Sequence, residues 1–349
     1  MTRTGDDAPL TPCLTAWSRT VKVPFTWKPT GWYQIGWSAD FPAGEVRPLR
    51  YFGEDLVAYR DVDDELHVLE AHCPHLGAHI GHGGHVVGTC VRCPFHGWEW
   101  GPDGYNSAIP DQETPNRSKH LRVWEVMEQY GLVFMWHHPE GEPPSWEMLD
   151  IFTCYPDFQQ DTDAYYPPVP AFTNKREHER VHPQIVLENS ADSAHFEFVH
   201  HSTIRPKVID YTYDDHQWYF IAGWPDREDP ELMRLKFHSK LFGLGGAISG
   251  FEGGTGHRIV FSTTPVEHEA SDMFYTIWWP REPGDDSPAP PEHILERVEK
   301  EFLSTVDDDL LIWRTQKWIE HPAYSKVDAK GYSAFRKWSQ QFYDVGPEE

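Results

Sequence analysis

Two short stretches carry residues suited to metal chemistry: Cys73-Pro74-His75-Leu76-Gly77 and Cys93-Pro94-Phe95-His96-Gly97-Trp98, with seventeen residues between His75 and Cys93. Each offers one thiolate and one imidazole, as C-x-H and C-x-x-H. Two cysteines on one iron and two histidines on the other make a ligand set for a [2Fe-2S] cluster, and neutral imidazoles leave that cluster less negative and easier to reduce. The same residue types bind zinc, and Cys90-Val91-Arg92-Cys93 adds a C-x-x-C open to a zinc knuckle or a redox pair. A zinc ribbon repeats one knuckle twice. Here each half has one Cys and one His among Gly, Pro and aromatic residues, which favours the one-electron carrier.

A second set lies in Glu188-Asn189-Ser190-Ala191-Asp192-Ser193-Ala194-His195-Phe196-Glu197-Phe198-Val199-His200, a D-x-x-H-x-x-x-x-H. On a helix, Glu188, Asp192 and His195 share one face. His200 lies about 140° round from His195 at 3.6 residues per turn, so both imidazoles reach one metal only if the helix loosens or ends between them. A π-bulge or a helix terminus is therefore expected near Phe198. Alone, the segment reads as an amphipathic helix with two unrelated histidines; beside the Cys/His pair it argues for a second metal.

Oxygen-activating ferrous iron takes two histidines and one carboxylate and keeps positions open. From Pro291 the chain reads as a helix on which Leu295, Val298, Phe302 and Val306 form an apolar stripe that continues onto Asp309 and Trp313. Asp307 and Asp308 point elsewhere. A carboxylate on a buried face is costly unless paired or metal-bound, which makes Asp309 the candidate third ligand. A helix N-cap within Asp307-Asp308-Asp309 is the alternative.

These residues need elements to hold them. An arm over residues 1–30, packing against another subunit or mobile, precedes regular structure that begins at Gly31. Leu56 to Tyr59, a turn at Asp61-Val62-Asp63-Asp64, and Leu66 to Leu69 form a hairpin delivering Cys73, while Val86-Val87 and Thr89 to Arg92 lead into the second loop. His79, His82 and His85 are surplus histidines, open to a metal role but read in preference as surface residues of a tight turn. Strands over Leu121 to Met127 and Leu132 to Trp136 complete an all-β domain over 31–138. The Pro-rich link at Pro139-Glu140-Gly141-Glu142-Pro143-Pro144 opens a second domain, 139–349. Trp218 to Ile221, Arg258 to Pro265 and Met273 to Trp278 are strands that line an apolar cavity or form ordinary core. Lys240 to His257 contains seven glycines and forms no strand-to-helix nucleotide loop; a mobile lid over a bulky substrate is expected there.

At 349 residues, 39% apolar and 14% aromatic, the chain has material for two domains with sizeable cores. Its net charge of −25 argues against nucleic acid and anionic membrane surfaces as partners. There is neither a signal-peptide core nor an apolar run of membrane-spanning length. Five cysteines, with Cys13 and Cys154 read as plain thiols, fit a reducing, cytoplasmic setting.

His72-Cys73-Pro74-His75-Leu76-Gly77-Ala78 and Cys93-Pro94-Phe95-His96-Gly97-Trp98 resemble the cluster loops of Rieske non-haem iron oxygenases, and Asp309-Leu310-Leu311-Ile312-Trp313 resembles the D-x-x-I-W of their steroid-active members. The resemblance spans Gly31 to Tyr343. It implies Cys73, His75, Cys93 and His96 as ligands of a Rieske [2Fe-2S] cluster, and His195, His200 and Asp309 as ligands of a mononuclear Fe(II). Asp192 matches the aspartate that bridges a cluster histidine to an iron-ligating histidine across a subunit interface. Asn189 sits where the family often has a polar residue near the iron. Cys90 has no place in that pattern and is expected on a strand, facing the domain interior. The implied fold class is α+β, an all-β Rieske domain plus a catalytic domain with an antiparallel sheet flanked by helices, of the StAR-related lipid-transfer type. The implied assembly is a head-to-tail homotrimer in which the cluster of one subunit faces the iron of the next.

Within that family the cluster loops, the D-x-x-I-W and Phe335-Arg336-Lys337-Trp338-Ser339-Gln340-Gln341-Phe342-Tyr343 are most similar to the 3-ketosteroid 9α-hydroxylase and cholesterol 7-desaturase branch. This implies a terminal oxygenase using O2 and electrons from a separate NAD(P)H reductase, directly or through a ferredoxin, to hydroxylate or desaturate a hydrophobic, sterol-like substrate. No flavin or nicotinamide motif is present in the sequence. Animal desaturases of that branch carry an N-terminal membrane anchor with no counterpart in the first thirty residues, so a soluble protein is expected. The alternative is a Rieske oxygenase acting on a small aromatic, by ring dioxygenation or O-demethylation. A pure electron carrier or scaffold is a third reading, against which the length and the second metal set argue.

Overall fold

The structure, a computed structural model, describes residues 23–343; Cys13 and most of the expected arm lie outside the described residues. The arm's last part packs on its own chain. Trp27 is buried, and the Phe25 ring meets those of His182, Trp318 and Tyr343.

The first half is all β. Strands β1 (Gly31–Trp37), β2 (Val46–Tyr51), β3 (Glu54–Arg60), β4 (Leu66–Glu70), β5 (His85–Val87), β6 (Cys90–Arg92), β7 (Glu99–Trp100), β8 (Asn106–Ala108), β9 (Val123–Trp124), β10 (Val126–Gln129) and β11 (Leu132–His137) form three small antiparallel sheets. Their orders are β1-β11-β10, β2-β3-β4-β9 and β5-β6-β7-β8. The β3–β4 hairpin turns through Asp61, whose carboxylate accepts the Asp63 and Glu65 amides, the Asx chemistry expected of such a turn.

The second half is built on one seven-stranded antiparallel sheet, in the order β12-β18-β17-β16-β15-β14-β13. Its strands are β12 (Thr173–Glu179), β13 (Lys207–Asp214), β14 (Gln217–Pro225), β15 (Met233–Phe242), β16 (Gly246–Glu252), β17 (Arg258–Glu267) and β18 (Ala270–Trp278). Side chains alternate between its faces. Val260, Phe274 and Trp278 point back into cores shared with Trp32, Tyr33 and Phe134, while Ile259, Phe261, Tyr275 and Ile277 point forward, where helices cover them. Every residue of β18 is buried, as a strand covered on both faces must be.

Lys240 to His257 is not a lid. It contributes the end of β15 and all of β16, inside the sheet, and its glycines serve close packing. A Cβ on Gly245 would lie 1.7 Å from the Trp32 carbonyl oxygen, and one on Gly246 2.2 Å from that of Phe261.

Among the described residues five α-helical segments lie on the front face: α1 (Pro183–Leu187), α2 (His195–Phe198), α3 (Glu292–Val298), α4 (Ser304–Trp313) and α5 (Ala329–Ser339). A π-helical turn, Glu299–Leu303, joins α3 to α4. No helix among the described residues is long and apolar enough to cross a membrane.

Helix α5 braces the segment that follows α1. Arg336 donates to both carboxylate oxygens of Glu188, at 2.8 and 3.0 Å, with its guanidinium over the Trp318 ring. Glu188 is only 3% exposed. Gly331 lies against Ala191, and Tyr332 donates to Asp192 at 3.0 Å.

Gly245→Ala is expected to cost about 3 kcal/mol or more through backbone collision, whereas Gly44→Ala, where the new methyl meets nothing within 4 Å, costs only about 1 kcal/mol of left-handed strain; thermal melts compare the two. Arg336→Met strands the buried Glu188 charge at about 3–5 kcal/mol, and Arg336→Met with Glu188→Met restores most of that loss, as urea denaturation of both variants would read.

Candidate metal centres

β4 and β6 deliver Cys73 and Cys93 into two loops of one design. The Cys73 amide donates to the Ala78 carbonyl at 2.9 Å and the Gly77 amide to that of Cys73 at 2.8 Å; the Cys93 amide donates to Trp98 at 2.8 Å and the Gly97 amide to Cys93 at 3.1 Å. Gly77 and Gly97 close the loops at φ of 78° and 70°, where a side chain is disfavoured. Both cysteines are 2% exposed. The imidazoles lie nearer the surface, His75 stacked on Trp98 with centroids 4.5 Å apart and 4.6 Å from the ring of His96.

Burial, with the Cys93 thiol beside it, pushes the Cys73 thiol up to about 11, so it keeps its proton until a metal replaces it. His75 Nδ1 is buried without a hydrogen-bond partner. Among the described residues these four side chains do not bring their donor atoms within 4.8 Å of one another, as one tetrahedral ion would require. Paired thiols inside and paired imidazoles outside fit a two-iron cluster.

Cys90 takes no part in this. It is on a strand, as expected, but only half-buried, while Val91 fills the interior: the inward position falls one residue later, and alternation turns Cys90 away. Of the surplus histidines, His82 and His85 are exposed and His79 half-buried, and no metal-sized group forms from them among the described residues. Cys154 is a free thiol that burial pushes up to about 11.

The second set does not lie on one helix. After α1 comes a 3-10 turn, Glu188–Ala191, and then Asp192 in extended backbone at φ −117°, ψ 122°. Asp192 accepts the Ala194 amide at 2.7 Å and the His195 amide at 3.3 Å, which restarts the chain as α2. Glu188, expected to share a face with Asp192 and His195, instead meets Arg336. The helix does end at Phe198, where the expected terminus lies, and the His200 amide reaches back to the His195 carbonyl at 3.4 Å. This turn swings His200 to the same side as His195, with ring centroids 5.2 Å apart.

Both imidazoles meet Asp309 from α4. One donor atom from each of His195, His200 and Asp309 lies within 4.8 Å of the others, the one such group among the described residues. His200 Nε2 is 3.4 Å from Asp309 Oδ2, and the Asn189 side-chain amide donates to Asp309 Oδ1 at 3.3 Å. Burial holds the His195 imidazole below its ordinary value despite the Asp309 and Asp192 carboxylates, leaving it neutral with a lone pair to give. Nδ1 of His195 and of His200 are buried and unpartnered. Two imidazoles and a carboxylate fit a mononuclear ferrous site. Asp309 sits within α4 (Ser304–Trp313), so it is not an N-cap.

The triad opens on a cavity of about 940 Å³, counting its mouth, between the helices and the forward face of the sheet. Val186, Phe196, Phe302 and Trp313 line the helix side and Phe261 and Ile277 the sheet side. Trp218 and Phe220 instead pack with Leu187 and Phe335 in ordinary core. Sequence reasoning missed Tyr332 and Arg336, which touch no metal candidate and brace the segment that carries Asp192 and His195, and also Ser239 and Ser249 on the cavity floor, where Tyr275 and Ile277 of the expected Met273 to Trp278 strand lie beside them.

Residues 31–128 match the Rieske [2Fe-2S] domain and residues 135–343 the 3-ketosteroid 9alpha-hydroxylase C-terminal domain. The chain is 31% identical to a cholesterol 7-desaturase of Xenopus laevis, over 90% of this chain and 72% of that one. It is 27% identical to a 3-ketosteroid-9-alpha-monooxygenase oxygenase component of Rhodococcus rhodochrous, over 91% and 82%. A crystal structure of dicamba monooxygenase bound to dicamba shares the fold, with a TM-score of 0.67 at 15% identity over 91% of this chain and 98% of that one. A Rieske domain joined to a catalytic domain on a large antiparallel sheet, matched along nearly the whole described chain, places this protein among the Rieske non-haem iron oxygenases: it belongs to the family of the 3-ketosteroid 9α-hydroxylase oxygenase component, an oxidoreductase family with a [2Fe-2S] cluster and a mononuclear iron.

Proposed function

We propose that this chain is the terminal oxygenase that hydroxylates or desaturates a steroid or sterol, with electrons from a separate NAD(P)H reductase, directly or through a ferredoxin. The observation that carries the reading is the His195, His200 and Asp309 triad at an apolar cavity; the names of the relatives supply the substrate class. A small aromatic acid would want a cationic partner in the pocket, and among the described residues no Lys or Arg lines this cavity.

In this reading Cys73, His75, Cys93 and His96 hold the cluster and His195, His200 and Asp309 hold the iron. When bound, the cluster supplies single electrons and the ferrous ion activates O2. The chain's residues do the rest. Asn189 orients the Asp309 carboxylate through its side-chain amide, and the apolar walls desolvate and align the substrate. Asp192, fixed by the Ala194 and His195 amides and by the Tyr332 hydroxyl, keeps its Oδ2 3.8 Å from His195 Nδ1, in place to link that histidine to a cluster histidine.

We place that cluster histidine on a neighbouring subunit of a head-to-tail trimer. Leu76 and Phe95, beside the cluster loops' histidines, are 66% and 61% exposed, and Phe198, Leu311 and Ile312, beside the iron ligands, are 67%, 69% and 48% exposed. Two apolar patches next to the two centres support mutual burial. The division at residue 139 into a cluster domain and a catalytic domain, and a cytoplasmic setting with reduced thiols, belong to the same reading.

Asp309→Ala is expected to weaken mononuclear iron binding by more than about 100-fold while leaving the cluster's visible spectrum intact; iron analysis with absorbance spectra checks this, and unchanged iron content would remove Asp309 from the ligand set. Asp192→Asn is expected to keep both metals and stop turnover, read as product formed per reductase electron, and surviving turnover would place the electron route elsewhere.

A further inference from the structure

The floor of the cavity is laid in rows across the strands. Leu241, Ala247, Phe261 and Tyr275 are successive register partners in one row; Ser239, Ser249, Ile259 and Ile277 are partners in the next. All of them line the cavity. Leu310 and Trp313 pack over Tyr275 at the Asp309 end, whereas Phe302 packs over Ile259 and Ile277. The serine row therefore stands about 7 Å along the strands, two residues, from the row beneath Asp309.

Two serines are an expensive choice there. A hydroxyl in apolar surroundings costs free energy unless it is hydrogen-bonded, and a strand interior favours β-branched residues. Ser239 and Ser249 are 4% and 7% exposed. Ser249 Oγ donates to Ser239 Oγ at 3.3 Å, long for hydroxyls, which favour about 2.7–2.8 Å. Two hydroxyls carry two protons, and this one weak bond uses one of them. The other has no acceptor within the described structure, on a sheet floor whose one further polar side chain among the described residues is the Tyr275 phenol in the next row.

We propose that Ser239 and Ser249 form an oxygen-reading site, donating a hydrogen bond to a ketone or hydroxyl oxygen at one end of a largely hydrocarbon polycycle. The oxygen is held one row away from Asp309, so carbons farther along the skeleton lie beneath the metal-binding residues. The pair sets both which substrates are accepted and which carbon is presented. This rests on the steroid reading above and adds to it the residues that recognise the oxygen.

The test is anaerobic binding of androst-4-en-3-one and of androst-4-ene, which lacks only the oxygen, to the iron-loaded enzyme, followed by tryptophan fluorescence. Wild type is expected to bind the ketone about tenfold more tightly. Ser239→Ala with Ser249→Ala is expected to bring the two ligands within about twofold of each other by weakening the ketone and not the hydrocarbon. Equal binding of both ligands by wild type would overturn the oxygen-reading site and leave the steroid reading standing, and needs no variant to fold. Discrimination that survives in the double variant would equally overturn it. Failure of wild type to bind either ligand would overturn the steroid reading and the site with it.

Discussion

His195 and His200, five residues apart, can meet one metal together with Asp309 only where the backbone between them abandons regular helix, and the catalytic half is arranged around that constraint. Asp192 takes extended backbone between two helical turns, α2 lasts four residues before it ends at Phe198, and a π turn precedes α4, which carries Asp309. Short, broken elements have little stability of their own. They are held from outside, by the sheet beneath and by α5 above, whose Arg336, Tyr332 and Gly331 each engage this segment. The Glu188–Arg336 ion pair is the firmest of these ties because neither charge can be left alone without a large desolvation cost.

The cluster half meets a different demand with simpler means. Two loops of equal length, each closed by a glycine four residues after its cysteine, turn both thiols inward; the histidine falls at the second position after Cys73 and at the third after Cys93. Burying the sulfurs and leaving the imidazoles near the surface is what an electron carrier needs, since the histidine side is where an electron can leave. The cores of this half run on into the back of the large sheet, so the cluster loops stand on the same framework that carries the cavity floor.

Local spacing made much of this legible. The Cys/His loops, the helix end near Phe198 and the stripe leading to Asp309 are short-range patterns, and each follows from how many residues separate two side chains. What spacing could not show is contact across the chain. Arg336 meets Glu188 across 148 residues and Tyr332 meets Asp192 across 140, so the helix read through Glu188, Asp192 and His195 looked continuous when its polar residues were promised elsewhere. The glycines from 243 to 256 read as flexibility for the same reason. Gly245 and Gly246 admit the Trp32 and Phe261 carbonyls, and that is evident only once β1 and β17 pack against this segment. The serine pair is a third case, since Ser239 and Ser249 become neighbours through strand register alone.

The central claim is that one chain carries a Rieske cluster and a ferrous site that responds to a steroid. Its most direct test is EPR spectroscopy of the anaerobic, dithionite-reduced protein with nitric oxide, recorded with and without a 3-ketosteroid. The account predicts a reduced Rieske signal together with an iron–nitrosyl signal whose shape changes when the steroid is added. Zinc in place of iron at either centre, or a nitrosyl signal indifferent to every steroid offered, would contradict it.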